Sequence, residues 1–301
     1  MNDYSSEIFK SGYVSIVGEP NVGKSTLLNA LMGEKLAIVT PKPQTTRNQI
    51  TGIVTTERYQ IIFLDTPGIV TPRYLLHNEM VKTAYRAIED ADLIVYMIDA
   101  SRLPPQLEVQ ILDRLGRRTS NNVFLGINKI DLLDARKLLP IIAAYKEKFP
   151  FLEIVPFSAR KSSDVLKLRN LIISHLPNGP IYFPDDQISD LPERFFVAET
   201  IREKIFLQTQ QEIPYASGVT VEAFKSRRNG TVYIRAIIYV ERKSQKQILI
   251  GNRAGMIKEI GQLARKEIER FLEARVFLEL QVSIKPDWRR DGKKLKDMGY
   301  M

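Results

Sequence analysis

The stretch G-E-P-N-V-G-K-S, residues 18–25, joins two glycines, a proline and a lysine between the apolar run Y-V-S-I-V and the helix-like T-L-L-N-A-L. Backbone N–H groups of such a loop can point at phosphate oxygens, and the helix that follows adds its positive dipole end. Lys24 can reach the β- and γ-phosphates, and the Ser25 hydroxyl can bind Mg²⁺. The alternative is an ordinary Gly/Pro turn. We predict a binding site for a nucleoside triphosphate that includes Gly18, Asn21, Val22, Gly23, Lys24, Ser25 and Thr26.

The sequence N-K-I-D follows the apolar run N-V-F-L-G-I directly and can select the base. The carboxylate of Asp131 can accept hydrogen bonds from guanine N1–H and N2–H₂, which adenine lacks. A site built for such donors can reject the analogue by roughly 10⁴-fold. Lys129 can lie along the base, and Asn128 can tie this loop to the phosphate loop. In S-A-R, a backbone N–H among Ser158, Ala159 and Arg160 can reach guanine O6. We therefore predict specificity for guanine nucleotides.

Two further segments lie between these motifs. D-T-P-G places Asp65 where it can hold Mg²⁺ through water and Gly68 where its N–H can sense the γ-phosphate, so that the segment after it responds to the nucleotide. The polar stretch P-K-P-Q-T-T-R-N-Q, residues 41–49, can supply a threonine to Mg²⁺. We favour Thr46 and keep Thr45 as the alternative, and a plain surface loop is the non-functional interpretation.

These five elements resemble the G1 to G5 motifs of translation-factor-type GTPases. The resemblance implies GTP hydrolysis with Lys24, Ser25, Thr46, Asp65 and Gly68 as the catalytic set. Ras-like members have a water-positioning glutamine after D-x-x-G, where this chain has Ile69. Hydrolysis is therefore expected to be slow, on the order of 10⁻² s⁻¹ or below, until a partner or ion accelerates it. In related GTPases without the glutamine, an asparagine at the position of Asn21 helps bind K⁺; the alternative is that Asn21 only shapes the loop.

The elements that position these motifs alternate along the first 176 residues. Continuous Val/Ile/Leu runs are typical of buried parallel strands, and the helices between them must cover both sheet faces. This pattern predicts a doubly wound α/β domain with ligands at the carboxyl ends of the strands. The predicted strands are 13–18, 59–65, 92–99, 122–128 and 153–159, and the predicted helices include 24–32, 104–117, 134–148 and 163–175.

The stretch 177–192 contains four prolines and three acidic residues and is predicted to be a linker. It divides the chain into a domain over 1–176 and a smaller α+β domain over 193–301. The smaller domain is predicted to contain a helix (193–208), two paired strands around an R-R-N-G turn, an amphipathic helix and a last strand.

The formal net charge of +9 is concentrated in the last quarter of the chain, where residues 221–301 contain 19 Lys+Arg and 10 Asp+Glu. Residues 1–220 contain equal numbers of both. A neutral body with a basic end indicates a module that binds polyanions, although a surface tuned for solubility is the plainer interpretation. The absence of cysteine, of a signal-peptide pattern and of a long apolar run favours a cytoplasmic protein.

The sequence I-L-I-G-N-R-A-G-M-I-K-E-I-G, residues 248–261, resembles the loop of a type II KH domain. Such loops clamp the backbone of single-stranded RNA. The family has glycine at the fourth loop position, where this chain has Ala254, a residue that resists positive φ. The type II order also implies a short helix before the loop. The predicted RNA-binding residues are Gly251, Asn252, Arg253, Ala254, Gly255 and Lys258, with Arg253 and Lys258 on phosphates.

A P-loop GTPase followed by a KH domain resembles the Era family of bacterial GTPases over nearly the full length. The resemblance implies a GTP-switched protein that uses GTP/GDP and Mg²⁺ and acts on the 3′ end of 16S ribosomal RNA during assembly of the 30S subunit. It also implies peripheral contact with the inner membrane, and we expect a monomer. Two alternatives remain open: an RNA-binding module with a mainly structural nucleotide, and a basic end that binds a membrane surface.

Overall fold

The computed structural model describes residues 9–118, 120 and 122–301. The chain divides into two compact units. The first comprises the described residues up to Ala37 together with Thr46–Thr71 and Met80–Asp190; the second comprises Ile38–Thr45, Pro72–Glu79 and Leu191–Met301. The sequence predicts that each domain is one continuous stretch of the chain. In the structure, Ile38–Thr45 and Pro72–Glu79 group with the second unit, and residues 177–190 of the predicted linker group with the first.

The first unit is built on a six-stranded sheet with the order β2-β3-β1-β4-β5-β6. Only β2 runs antiparallel to its neighbour, β3, and the other pairs are parallel. The carboxyl ends of the parallel strands therefore meet at one edge. The strands are β1 (Lys10–Gly18), β2 (Ile50–Thr55), β3 (Tyr59–Asp65), β4 (Leu93–Asp99), β5 (Val123–Asn128) and β6 (Glu153–Pro156).

Helices cover both faces of this sheet, because successive strand side chains point to opposite sides. On β5, Leu125 belongs to a core shared with three of the helices. The ring of Phe124, the preceding residue, meets the ring of His175, on the last helix of this unit, edge-on with 5.1 Å between the ring centroids. The predicted doubly wound α/β fold is thereby confirmed. The helices are α1 (Lys24–Met32), α2 (Leu75–Asp90), α3 (Glu108–Gly116), α4 (Leu138–Lys148) and α5 (Ser162–His175).

Some boundaries differ from the prediction for local reasons. Helix α3 begins at Glu108 rather than 104, since Pro104 and Pro105 disfavour helical geometry in the residues before them. Strand β6 ends at Pro156 rather than 159, because the Ser158 N–H turns to the carboxylate of Asp164 at 3.2 Å. Neither β2 nor α2 is among the elements that the sequence pattern predicts.

The predicted linker is irregular but bonded to the first unit. The N–H groups of Tyr182 and Phe183 donate to Gln60 Oε1 at 2.7 and 3.0 Å. The Ile53 N–H of β2 donates to the Ile188 carbonyl at 2.9 Å. The segment therefore lines the β2–β3 side of the sheet up to Asp190.

The second unit has a three-stranded sheet with the order β7-β8-β9, antiparallel between β7 and β8 and parallel between β8 and β9. The order helix–strand–strand–helix–helix–strand agrees with the type II KH arrangement and includes the short helix, α8, that the resemblance implies. Its elements are α6 (Glu193–Gln208), α7 (Ile213–Ala216), β7 (Gly218–Ser226), β8 (Val232–Val240), α8 (Lys243–Ile250), α9 (Gly255–Phe271), β9 (Val276–Ile284) and α10 (Gly292–Asp297).

Its core lies between the sheet and helices α6, α8 and α9. Ile201 of α6, Ile234 and Ile238 of β8, and Ile260 and Ile268 of α9 are fully buried there. Because α8 and α9 are both anchored in this core, the short connection between them is held at both ends and presented to solvent.

Candidate nucleotide and RNA sites

The connection from β1 to α1 has the backbone geometry of a phosphate-binding loop. Gly18 has φ 150° and Gly23 has φ 103°, both in the region that favours glycine. A Cβ at Gly18 would lie 2.4 Å from the Met97 carbonyl oxygen, and one at Gly23 would lie 2.3 Å from Asn128 Nδ2. Both positions therefore require glycine for conformation and for space.

Lys24, the first residue of α1, is buried at the base of this loop. Its Nζ donates to the carbonyls of Gly18 at 3.1 Å and Glu19 at 2.9 Å. Burial lowers the pKa of Lys24 to about 8, an effect that the nearby carboxylates of Asp65 and Glu19 oppose. The ammonium thus sits inside the loop, where a phosphate group would neutralise it.

Three oxygen-bearing side chains meet beside Lys24. Ser25 Oγ donates to Asp65 Oδ2 at 2.7 Å and lies 2.9 Å from Thr46 Oγ1. Thr45 takes a different direction, with its hydroxyl 2.7 Å from Thr40 Oγ1 and 2.8 Å from the Lys42 carbonyl. The geometry therefore favours Thr46 over Thr45 as the threonine of this cluster.

The cluster suits a hard divalent cation. Two hydroxyls and a carboxylate are the ligand types that Mg²⁺ prefers. Asp65 is fully buried, and its Oδ1 has no hydrogen-bond partner within the part of the chain that the structure describes. Burial raises the pKa of Asp65 to about 6, with Lys24 and the Ser25 hydrogen bond acting in the opposite direction. A buried carboxylate with one unsatisfied oxygen is a position that a cation would stabilise.

Asn128 ties three loops together at the end of β5. Its Nδ2 donates to the Val22 carbonyl at 2.7 Å, and its Oδ1 accepts from the Ala159 N–H at 2.9 Å. The phosphate loop, the N-K-I-D motif and the S-A-R motif are thus joined through one buried side chain. This is the tie that the sequence predicts for Asn128, extended to the S-A-R loop.

Lys129 adds a second tie. Its Nζ donates to the Asn21 carbonyl at 2.7 Å and pairs with Asp99 Oδ2 at 2.6 Å. Asp99 is not among the site residues that the sequence motifs predict. Partial burial is the largest single influence on the pKa of Asp99 and raises it. The hydrogen bonds from Lys129 and Ser101 together outweigh burial, so the pKa lies below its ordinary value. The signal that could have found Asp99 is its position as the last residue of β4, at the same sheet edge as the other motifs.

The base-recognition residues lie around this frame. Asp131 is exposed in a short 3₁₀ turn that follows Lys129, so its carboxylate is open to a ligand. Ser158 and Ala159 are buried, and the Arg160 N–H lies 3.4 Å from Ser158 Oγ. The structure thus groups these residues at one sheet edge, as the order of the motifs predicts.

The D-x-x-G segment contacts the phosphate loop directly. A Cβ at Gly68 would lie 2.7 Å from the Pro20 nitrogen, and the Ile69 N–H donates to the Gly18 carbonyl at 3.1 Å. The Ile69 side chain is buried with Val17 in the sheet core. A residue packed in this way cannot orient a water molecule, which agrees with the departure from Ras-like GTPases noted in the sequence.

The candidate RNA loop joins α8 to α9. Gly251 has φ 72°, and a Cβ there would lie 2.8 Å from Met256 Cβ. Arg253 and Ala254 have φ values of 49° and 60°. Ala254 thus adopts the left-handed conformation that glycine has in the family pattern, whereas Gly255 has φ −62° and is the first residue of α9.

The side chains of this loop face solvent. Asn252, Arg253 and Lys258 are exposed, and Ala254 is half-buried. The backbone N–H of Ala254 donates to the Gly251 carbonyl at 3.3 Å, which closes the turn. The loop therefore presents two cations at the N-terminal end of α9, where anionic groups are favoured.

Profiles of known families match both units. A family described as 50S ribosome-binding GTPase matches residues 13–129, and the KH domain family matches residues 212–289. Within the described residues, no helix combines the length and the apolar character needed to cross a membrane.

Two relatives match almost the whole chain. GTPase Era from Geobacter metallireducens is 50% identical over 297 residues, covering 98% of this chain and 99% of the relative. GTPase Era from Ruminiclostridium cellulolyticum is 44% identical over 292 residues, covering 97% and 98%.

Two solved structures have the same fold over the same length. A point variant of Aquifex aeolicus Era bound to GDP·AlF4⁻ has a TM-score of 0.91, and Era in complex with MgGDPNP and nucleotides 1506–1542 of 16S ribosomal RNA has a TM-score of 0.92. Each is 41% identical and covers 97% of this chain and 99% of the solved chain.

Proposed function

The chain belongs to the Era family of GTPases, and on that premise we propose that it binds the 3′ end of 16S ribosomal RNA under the control of GTP during assembly of the small ribosomal subunit. The observation that carries this proposal is the similarity over 97% of the chain to an Era bound to MgGDPNP and that RNA segment. The similarity therefore extends over the KH unit as well as the GTPase unit.

The first unit binds the guanine nucleotide through groups that are already positioned. The backbone N–H groups of residues 18–25, other than Pro20, would bind the β-phosphate, and the buried Lys24 ammonium would neutralise the β- and γ-phosphates. The exposed Asp131 carboxylate accepts the two guanine donors, while the hydrogen bonds of Asn128 hold the base loop against the phosphate loop. Ser25 and Thr46 would hold Mg²⁺, with Asp65 accepting from its bound water. The cation would neutralise charge on the β- and γ-phosphate oxygens.

Hydrolysis by this site is slow, because Ile69 is buried where a glutamine could have oriented the attacking water. Faster GTP hydrolysis would therefore need a group other than the predicted catalytic residues, such as a bound ion or a partner. Asn21, which has φ 65° in the phosphate loop, would help bind K⁺ near the phosphates. RNA bound to the second unit is the other candidate accelerator.

The second unit binds single-stranded RNA at the α8–α9 loop. Close approach of the RNA backbone is possible because Gly251 carries no side chain and Ala254 only a methyl group, and Arg253 and Lys258 neutralise the phosphates. Bases are read in the groove beside the loop. The protein acts in the cytoplasm as a monomer on the 30S subunit, and the basic second unit allows peripheral contact with the inner membrane.

The test is the affinity for a single-stranded RNA with the sequence of the 16S 3′ end, measured with GDPNP and with GDP. We expect tighter binding with GDPNP, and weaker binding of a scrambled RNA at the same salt concentration. Equal affinity in both nucleotide states, with no stimulation of turnover by RNA or K⁺, would favour a nucleotide that is mainly structural. Equal affinity for both RNA sequences would favour a non-specific polyanion surface.

A further inference from the structure

The core of the second unit lies on one face of its sheet, and the other face carries exposed side chains near the amino end of β8. Val232 and Ile234 are buried in the core with α6, α8 and α9, so the side chain of Tyr233 between them points to the opposite face. Lys225 of β7 and Phe277 of β9 are the register partners of Tyr233 and share that face. These three residues therefore form one row across the open face of the sheet.

Two aromatic rings and a guanidinium group lie together in this row, and we call them the aromatic platform (Arg227, Tyr233 and Phe277). The ring centroids of Tyr233 and Phe277 are 6.0 Å apart, with 25° between the ring planes. The guanidinium carbon of Arg227 lies 4.9 Å from the first centroid and 5.4 Å from the second. Phe277 is 53% exposed. One exposed phenylalanine is ordinary, but a stacked pair of rings beside an exposed arginine is a surface on which another flat group can stack.

Toward the carboxyl end of β8, the charges beside the platform are already paired. Nε of Arg235 lies 3.7 Å from the carboxylate of Glu222 and 3.6 Å from that of Glu279. The hydroxyl of Tyr233 donates to Glu279 at 2.8 Å. This side of the platform therefore has little charge left to offer to a ligand.

Toward the amino end of β8, the platform is bordered by cations. Lys225, Arg228 and Arg275 are exposed, and among the residues that the structure describes none of the three forms an ion pair. The Val232 N–H donates to the Arg275 carbonyl at 2.8 Å, which places Arg275 in the sheet two residues before Phe277. The exposed ring thus has unpaired positive charge on one side, which favours an anionic partner.

From this arrangement we propose that the open face of the sheet is a second contact surface for single-stranded RNA, additional to the α8–α9 loop of the proposed function. A base stacks on the ring of Phe277, and the neighbouring phosphates lie beside Lys225, Arg228 and Arg275. Unpaired nucleotides supply both a free ring face and a chain of negative charges, whereas the bases of a duplex are already stacked on one another.

Two properties follow from this geometry. Helices α8 and α9, which hold the loop, pack on the other face of the sheet, so the nucleotide at the platform is a different one from that at the loop. Every base has a ring face, so the platform tolerates any sequence. The second surface therefore adds affinity for longer RNA without adding sequence preference.

The test uses the 16S 3′-end RNA extended on both sides by about ten uridines, or by the same number of abasic nucleotides, which keep the phosphates and lack the bases. Fluorescence anisotropy with the full chain and GDPNP measures both affinities. We expect the wild-type chain to bind the uridine-flanked RNA about tenfold more tightly than the abasic one. Phe277→Leu should lose most of this preference, and Phe277→Trp should keep it because an aromatic ring is retained.

Phe271→Leu is the matched control, since it makes the same change at a phenylalanine of α9 that is 37% exposed; it should keep the preference for uridine flanks. Arg228→Gln should weaken the binding of both extended RNAs equally, by about threefold, because the phosphates are present in both. A Phe277→Leu chain that keeps the preference, or that loses the same affinity for both RNAs without losing the preference, would overturn the stacking contact.

Photocrosslinking locates the contact without a variant. Oligouridylate that contains 5-iodouridine, irradiated with the full chain, should become attached to the peptides that contain Tyr233 or Phe277. Attachment only to other peptides, such as the one with residues 251–258, or no attachment, would overturn the proposal. Because oligouridylate lacks the 16S sequence, a wild-type chain that binds it at the platform but does not bind the 16S segment would contradict the proposed function and support the platform.

Discussion

Among the described residues, the loops 18–25 and 251–255 both have glycines before a helix, and they differ in how they would recognise phosphate. In residues 18–25 the left-handed positions are Gly18, Asn21 and Gly23, and the main cation, Lys24, is buried. In residues 251–255 the left-handed positions are Gly251, Arg253 and Ala254, and the cations on and beside the loop are exposed.

The difference shows what each loop depends on. The first loop combines a constrained backbone with the buried ammonium of Lys24, so it should be sensitive to small changes of shape and insensitive to salt. The second loop would act through its exposed cations, so it should tolerate changes of shape and respond to salt, because released counterions would drive the binding. Five predictions test this contrast, from the largest expected effect to the smallest.

Gly23→Ala should reduce GTP affinity by about 1,000-fold or more. The added methyl would lie 2.3 Å from Asn128 Nδ2, in a residue held at φ 103°. Calorimetric titration with GTP measures the loss. The matched change in the other loop is Gly255→Ala, where φ is −62° and a Cβ meets nothing within 4 Å; RNA affinity there should change by less than about threefold. Equal effects of the two changes would remove the contrast.

Asp131→Asn should weaken GTP binding by about 100-fold, because a carboxylate that accepts two hydrogen bonds is replaced by an amide that presents a donor. The affinity for xanthosine triphosphate should rise at the same time. Competition with both nucleotides measures the change in preference. Unchanged GTP affinity would contradict the assignment of Asp131 to the base.

Arg253→Ala together with Lys258→Ala should weaken RNA binding by about tenfold at physiological salt. The slope of log K against log salt should become shallower by about 1.4, because two phosphate contacts to a single strand are removed. Fluorescence anisotropy at several salt concentrations gives both values. If affinity and slope both stayed the same, the loop would not be the RNA site.

Nucleotide binding in Mg²⁺ should weaken as the pH falls through about 6. Burial raises the pKa of Asp65 to about 6, and protonation removes the negative charge beside the cation and weakens the hydrogen bond that the carboxyl group accepts from the cation's water. The ligand-free chain should behave in the opposite way, since a carboxyl whose folded pKa is raised contributes stability that is lost as the pH rises from 3.8 through 6. Asp65→Asn, measured by titration with MgGDPNP at pH 5 and pH 7, should remove the dependence; a dependence of the same size in the variant would assign it to another group.

Ala254→Gly should stabilise the chain slightly, by about 1 kcal/mol, because glycine adopts φ 60° without the strain that alanine carries. A rise of about 3 °C in the melting temperature is expected, with RNA affinity within about twofold of the wild-type value. A fall in melting temperature would show that the methyl group of Ala254 makes a contact worth more than the strain.

The sequence predicts the fold of the first unit and the order of its motifs well, because the phosphate loop and the D-T-P-G, N-K-I-D and S-A-R motifs each follow a strand. It does not predict β2, whose sequence I-T-G-I-V-T includes a glycine and two threonines, or α8, where K-S-Q-K-Q-I-L-I has no clear helical period. The choice between Thr45 and Thr46 depends on which hydroxyl turns toward Ser25, and neighbouring identical residues cannot show this. The pair formed by Asp99 with Lys129 joins residues far apart in the chain, and no local pattern indicates it.

Calorimetric titration of the full chain with GTP and with ATP in the presence of Mg²⁺ tests the central claim most directly. Backbone N–H groups at the first loop and a carboxylate at the base loop together predict tight binding of GTP and binding of ATP weaker by about 10⁴-fold. Equal affinity for the two nucleotides, or no binding of either, would contradict the account.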